Sequence, residues 1–253
     1  PTVTKNSRWQ AKAWKGERVN AQAVLWTTND LSDATITVTD LKNGSSVIPA
    51  SAITTNFVRY VMTDELNKDR KAEWDSSIVA DVLDIVKLHD IKARTTQPIW
   101  MNVWVPSDAR AGKYKGTLTV SGKNFQPMNL QVEIDVLNRT LPEPKDWKFH
   151  LDLWQNPYSV ARYYNVPLWS KEHFDAMLPI MKMLANAGQR AITTSIMHKP
   201  WAGQTEDHFD SMVFRMKKID GTWEYDYTVF DKWVEFMMNE VGINDLISCY
   251  TMI

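Results

Sequence analysis

Leu130-Gln-Val-Glu-Ile-Asp-Val136 alternates apolar and polar residues with period 2. That spacing puts Leu130, Val132, Ile134 and Val136 on one side and Gln131, Glu133 and Asp135 on the other, the pattern of a strand with one buried face. Toward the N-terminus the same alternation recurs, less strictly, over residues 19–27, 35–40, 57–62, 99–105 and 114–120. Turn-forming clusters separate these runs: Lys42-Asn-Gly44-Ser, Pro106-Ser-Asp108 and Ser121-Gly122-Lys123. Residues 81–88 read as a short helix or a further strand, and the charged stretch 64–75 as a loop. Many short strands with regular turns predict a β-sandwich or a barrel.

Toward the C-terminus the pattern changes at Leu141-Pro-Glu-Pro144, where two prolines favour a stiff, extended connector. The predicted division is residues 1–141 and 142–253. A strand is expected at 149–154. Ser170 is placed to cap a helix running to about residue 187, with Gly188 just past its end and Phe174, Met177, Leu178, Met181 and Leu184 at helical spacing. Pro179, inside that run, is expected to kink or split it. The next strand is 191–196. A second helix, capped by Thr228 with Asp231 in a capping-box-like position, carries the stripe Phe230, Trp233, Val234, Met237 and Val241 and ends at Gly242. A third strand covers 246–252. The intervening excursion, 202–227, predicts a hairpin of 213–218 with 222–227 turning at Asp220-Gly221. Strands alternating with helices pair in parallel through right-handed crossovers, which opens either a barrel or an open sheet. A chain stopping at Ile253, inside an apolar strand, reads as truncated before a barrel closes.

Composition bounds the function. The 253 residues hold 44% apolar side chains, enough for sizeable cores, and 29 Lys+Arg against 30 Asp+Glu. A net charge of -1 lacks the basic excess of a nucleic-acid partner. Apolar stretches are strand-sized, so no membrane span is expected. The chain begins at Pro1 without Met or a signal pattern, which reads as a processed chain whose address has been removed. With a single cysteine, Cys249, no internal disulfide forms; that residue reads as a small buried apolar side chain. Asn43-Gly-Ser45 and Asn138-Arg-Thr140 fit short glycosylation patterns that chance often supplies. Tryptophan stands out, with 12 residues against 8 Phe and 8 Tyr. Most are assigned to cores, and the rest fit sugar binding, because the apolar C–H face of a pyranose stacks on an indole whose N–H can donate a hydrogen bond.

Chemistry in a β/α barrel sits at the C-terminal strand ends and in the loops after them. On the strand at 149–154, Phe149, Leu151 and Leu153 share the face expected to pack on helices. His150, Asp152 and Trp154 share the face expected to look inward, with Trp154 at the rim. Gln155-Asn-Pro-Tyr158 continues there as a loop, Met197-His-Lys-Pro-Trp201 follows the second strand, and Tyr250 lies near the end of the third. His150 and Asp152 are the start of a metal set without companions, so no metal or cofactor is expected. No Gly-rich phosphate loop, Gly-x-Ser-x-Gly elbow or His-Glu-x-x-His helix is present.

From Trp14-Lys-Gly-Glu17 onward the chain resembles glycoside hydrolase family 123 and its uncharacterised relatives. The resemblance is carried by Val105-Pro-Ser-Asp-Ala109, Ala111-Gly-Lys-Tyr-Lys-Gly-Thr-Leu-Thr-Val120, Leu141-Pro142, His150-Leu-Asp-Leu-Trp-Gln155, Ala187-Gly-Gln189 with Ile192-Thr-Thr194, Pro200-Trp201 and Asp220-Gly-Thr-Trp223. It implies a multidomain β plus α/β fold: an N-terminal β-sandwich, then the first three or so β/α units of a TIM-type (β/α)8 barrel. It also implies an exo-acting β-N-acetylgalactosaminidase working on glycans with a terminal N-acetylhexosamine, without cofactor. In such substrate-assisted retention the sugar's own 2-acetamido oxygen attacks the anomeric carbon, an Asp orients that amide, and the adjacent Glu, its pKa raised by burial, is the general acid. The pair is expected on a later strand, downstream of Ile253. Asp64-Glu65 lies in the charged stretch of the sandwich half and Glu206-Asp207 has the reverse order, so no catalytic residue is assigned. Candidate sugar-binding positions are Trp154, Gln155, His198 and Trp201, with Asp152 and Tyr250 beside them. The resemblance further implies an exported, periplasmic or cell-surface bacterial protein.

Two other readings compete. One is a glycan-binding module, favoured if indoles from among Trp9, Trp14, Trp26, Trp74, Trp100 and Trp104 form an exposed row on one sandwich face rather than filling its core. The other is a divergent barrel glycosidase of different specificity.

Overall fold

A computed structural model describes residues 7–63, 77–123, 125–201 and 205–251. The charged stretch 64–75, with Asp64-Glu65 and Trp74, lies outside the described residues, as does Met252. The chain divides into two compact units, Pro1–Leu141 and Pro142–Ile253.

The first unit is built of strands β1 (Arg8–Lys15), β2 (Arg18–Trp26), β3 (Leu31–Val38), β4 (Leu41–Asn43), β5 (Ser46–Ile48), β6 (Ile53–Thr63), β7 (Ser77–Leu83), β8 (His89–Ile91), β9 (Thr96–Trp104), β10 (Gly112–Lys123) and β11 (Phe125–Thr140). One sheet runs β1-β11-β10-β3-β8, with β4 paired to β10 and to β5; the other runs β2-β9-β6-β7. Both contribute to one core. Leu25, Phe57, Ile99, Met101 and Val103 of the four-stranded sheet share it with Leu31, Tyr114, Leu118, Val132, Ile134 and Val136 of the larger one. Full burial of each such aliphatic side chain stabilises by about 1.5–3 kcal/mol. Residues 81–88, open to two readings in the sequence, contribute the end of strand β7.

The alternation at Leu130–Val136 survives with one exception. Glu133 points away from the core yet is only 7% exposed. Its register neighbours on both sides cover it. Arg8 Nη2 and Gln10 Nε2 donate to its carboxylate at 2.7 and 3.0 Å, and Lys115 Nζ lies 3.6 Å away. The Arg8 hydrogen bond, above all, holds that carboxyl below the usual glutamate range.

The second unit carries helices α1 (Pro157–Tyr164), α2 (Lys171–Asn186) and α3 (Thr228–Glu235), the last extended by a π-helical turn over Phe236–Val241. Its strands are β12 (Ala191–Ser195) and β15 (Leu246–Tyr250), which pair in parallel, and the hairpin β13 (Phe214–Lys217) with β14 (Trp223–Asp226). The core gathers Tyr158, Met177, Met181, Ile192, Phe209, Trp233, Phe236 and Met237. Gly221, at φ +87°, makes the hairpin turn at Asp220-Gly221.

Several expectations are corrected here. Residues 149–154 do not form a strand: a single parallel bridge joins Leu151 to Gln189. Side chains replace the missing ladder, since Leu153 N donates to Gln189 Oε1 at 2.7 Å and Gln155 N to Thr193 Oγ1 at 3.2 Å. Of the face expected to pack on helices, Phe149 and Leu153 are exposed. Among its described residues the second unit therefore has two parallel strands and one bridge where three strands were expected, and two parallel strands with three helices are common to a barrel and an open sheet. Pro179 does not split α2, which runs unbroken; Pro179 sits on its exposed side, where water can serve the carbonyl left without a donor. Thr228 does not cap α3 through its side chain: Asp226 Oδ1 accepts the Thr228 N–H at 2.8 Å. The stretch read as a loop after Gln155 becomes α1, its start marked by Asn156, whose side chain accepts from Tyr158 N, and by Pro157 in the first turn. Cys249 is exposed rather than buried.

Candidate active site

The parallel pairing of β12 with β15 sets Ser195 opposite Tyr250, so both strands deliver their last residues to one end. Tyr250 stands at that end itself. Past Ser195 the chain turns through Met197-His198-Lys199, with Lys199 in the left-handed region at φ +53° and its N–H bonded to Phe209 O at 2.9 Å. This fixed turn presents Trp201. From the Leu151 bridge the chain reaches Trp154.

Three aromatic rings meet there. Trp154 and Trp201 stack with centroids 5.6 Å apart and planes 14° from parallel. Tyr250 meets both edge-on, at 5.8 Å from Trp154 and 5.5 Å from Trp201. Trp201 is anchored from below by buried Phe209, 5.1 Å away and edge-on. Trp154 stays 62% exposed, so the cluster forms an open aromatic wall rather than sealed core. Two buried polar atoms have no hydrogen-bond partner among the described residues here: the indole Nε1 of Trp201, and Oδ1 of Asp152, two residues before Trp154. An indole N–H and a carboxylate oxygen left unpaired are costly unless a further group completes them.

Other predicted positions are placed differently. Gln155 is 2% exposed and its amide is committed to the backbone. Its Oε1 accepts from Thr193 N at 2.8 Å, and its Nε2 donates to Leu153 O and to Ala191 O. Gln155 thus ties the bridge segment to β12 and offers no free polar group at the surface. His198 is exposed and pairs with Asp210, Nδ1 to Oδ1 at 2.6 Å. Asp210, which the sequence did not single out, fixes the ring, and only the folded loop shows that pairing. Asp207 of the reversed Glu206-Asp207 pair is held by Arg162 Nε at 2.8 Å to each oxygen.

A further cleft of this unit is lined by Glu143, Gln189, Arg190, Asn244 and Asp245. It lies where the chain enters β12 and β15, the opposite end of the strands from Trp201 and Tyr250. Ligand chemistry in parallel α/β folds gathers at the carboxyl ends of strands, so the aromatic wall is the better candidate.

Residues 1–122 match the glycoside hydrolase 123 N-terminal domain, and residues 154–253 match the glycoside hydrolase 123 catalytic domain. The chain is similar to the solved structure of a family 123 glycoside hydrolase from Clostridium perfringens, described for the details of glycolipid glycan hydrolysis. The two are 25% identical with a TM-score of 0.91, over 98% of this chain and 44% of that one. The present chain thus spans less than half the length of the structure it matches. A Bacteroides ovatus GH5 xyloglucanase in complex with a XXXG heptasaccharide is 6% identical, with a TM-score of 0.28 over 90% of this chain and 30% of that one; it carries no argument. No curated protein sequence matches the chain. Two family domains in chain order, which between them leave only residues 123–153 unmatched, and a shared fold across nearly the whole chain lead to one conclusion: this chain belongs to glycoside hydrolase family 123.

Proposed function

We propose that this chain is part of a retaining, exo-acting β-N-acetylgalactosaminidase, and that its second unit opens a (β/α)8 barrel whose sugar pocket is walled by Trp154, Trp201 and Tyr250. The observation that carries the reading is the aromatic wall at the carboxyl ends of two parallel strands, with an indole N–H in it that has no partner among the described residues. A pyranose lays its apolar C–H face on a ring while its hydroxyl or acetamido oxygens take up the N–H. Asp152 Oδ1 is a matching acceptor for a sugar O–H or N–H.

In the proposed reaction the 2-acetamido oxygen attacks the anomeric carbon as the glycosidic bond breaks. A general acid passes its proton to the leaving oxygen, and water then opens the cyclic intermediate with retention. No residue of this sequence is assigned as the acid or as the group that orients the acetamide. The substrate read here is a glycan ending in N-acetylhexosamine. The site of action is proposed as the bacterial periplasm or cell surface, a reading that rests on the resemblance alone. No helix among the described residues is long and apolar enough to cross a membrane.

The test uses the longest polypeptide in which this sequence occurs, assayed on chromogenic β-N-acetylgalactosaminide and β-N-acetylglucosaminide. Release from the former with retained configuration, and a KM raised about tenfold or more in Trp154→Ala, is expected. Inertness toward amino sugars, or inversion, overturns the specificity and mechanism; full activity in both Trp154→Ala and Trp201→Ala overturns the pocket.

A further inference from the structure

Trp9 packs against the core of the first unit, but Trp14, Trp26, Trp100 and Trp104 do not belong to it. Trp26 and Trp104 are 53% and 47% exposed, and Trp100 is half-buried. The register explains where they go. Across β2 and β9, Arg18 faces Trp104, Asn20 faces Asn102, Gln22 faces Trp100, Val24 faces Pro98 and Trp26 faces Thr96. Partners in an antiparallel pair project from the same face, so these ten residues share one side. The alternate set, Ala21, Ala23 and Leu25 with Ile99, Met101 and Val103, packs in or against the core. β6 adds Thr54 beside Asn102 and Asn56 beside Trp100 on the same side.

This outer face has a definite chemistry. Trp100 and Trp104 are four residues apart on one strand, and Trp26 is paired to Thr96, four residues before Trp100. At the strand rise of about 3.3 Å, successive indoles stand about 13 Å apart along the sheet, a spacing wider than a single pyranose. Between them lie amides and a hydroxyl. Trp100 Nε1 donates to Asn102 Oδ1 at 3.2 Å and Asn102 Nδ2 to Thr54 Oγ1 at 3.4 Å, which orients that cluster. Asn20 and Gln22 have no side-chain hydrogen-bond partner among the described residues. Arg18 is the one charge among the twelve residues named, and its guanidinium lies 4.5 Å over the Trp104 ring. Those twelve residues, with one cation and no carboxylate among them, do not select a polyanion or a cationic peptide. Flat indoles alternating with neutral donors and acceptors fit a ligand with apolar C–H faces and a fringe of hydroxyls.

We infer that the outer face of the β2-β9-β6 sheet binds a neutral, linear oligosaccharide, its rings stacked on Trp26, Trp100 and Trp104 and its hydroxyls bonded to Asn20 and Gln22. The site is separate from the aromatic wall of the second unit and does not rest on the hydrolase reading. It holds a glycan without cleaving it.

The experiment is isothermal titration of the 253-residue chain with cellohexaose, maltohexaose and xylohexaose, none of which carries an N-acetylhexosamine, each beside its monosaccharide. At least one hexasaccharide is expected to bind and its monosaccharide to fail, because one ring meets one indole only. Trp100→Ala and Trp104→Ala should each weaken binding about tenfold, while Trp104→Tyr, which keeps a stacking ring, stays within about threefold of the original. Tyr163→Ala, on the exposed side of α1 in the second unit, should leave the affinity unchanged. If Trp100→Ala fails to fold, Gln22→Leu on the exposed surface takes its place with a smaller loss expected. Three outcomes overturn the inference: no heat with any hexasaccharide, binding that Trp154→Ala abolishes and the sheet variants spare, or a chain that binds no hexasaccharide but forms a dimer broken by Trp104→Ala.

Discussion

Gln155 and Asp84 show what single residues do in the two units. Gln155 was a candidate sugar contact by position, and the fold turns its amide inward to serve three backbone groups. Gln155→Ala leaves the Thr193 N–H without its acceptor in a buried setting. The expected cost is about 2–3 kcal/mol, read as a lower midpoint in urea unfolding, with no specific change in sugar affinity while the unit is folded. Asp84 is 3% exposed, and its two oxygens accept from Arg59 Nε and Nη2 at 2.8 Å each. These bonds above all, with a backbone N–H from Val86, hold its pKa at about 2 against an ordinary 3.8. A depressed carboxyl pKa contributes stability that is fully present above the unfolded value and lost as pH falls through the folded one. Asp84→Asn should therefore lower the melting temperature of the first unit at pH 6, and the gap to the wild type should close between about pH 4 and pH 2. A gap that stays constant to pH 2 would show that the Arg59 pair is not its source.

At the scale of elements, local rules worked where a segment's own period met a matching environment. The stripe Trp233-Met237-Val241 is buried as its helical spacing requires, and α2 starts where Ser170 accepts from His173 N at 3.3 Å. The end of α2 is set by Gly188, at φ +88°, and by Trp147, whose ring lies where a Cβ on residue 188 would come within 2.7 Å of its Cε3. Trp147 cannot easily yield, because its Nε1 is bonded to Pro142 O at 2.7 Å. Gly188→Ala meets both penalties and should destabilise the second unit by about 1–3 kcal/mol. Trp147→Leu should relieve part of that loss in a double-mutant cycle. The strand expected over residues 149–154 failed because alternation there reflects one bridge and several side-chain bonds supplied by Gln189 and Thr193, whose positions no local pattern encodes.

At the scale of the molecule, the two cores draw on separate sets of residues. Calorimetry should show that Gln155→Ala shifts a transition that Asp84→Asn leaves in place, and the reverse. One transition moved equally by both would mean that the units melt as one.

The sequence by itself determined the strand-rich first unit, the helices at 171–186 and 228–235 and the hairpin at Asp220-Gly221, because side-chain period and turn chemistry act between residues close along the chain. The tertiary structure alone decided which aromatic residues meet. Trp154, Trp201 and Tyr250 come from three separate segments, and Trp26 joins Trp100 and Trp104 only through the register of β2 against β9. It also decided that Gln155 is structural while Trp154 beside it stays open. Neighbours in sequence share a period, but whether a side chain faces solvent or a buried backbone group depends on which distant segment packs against it.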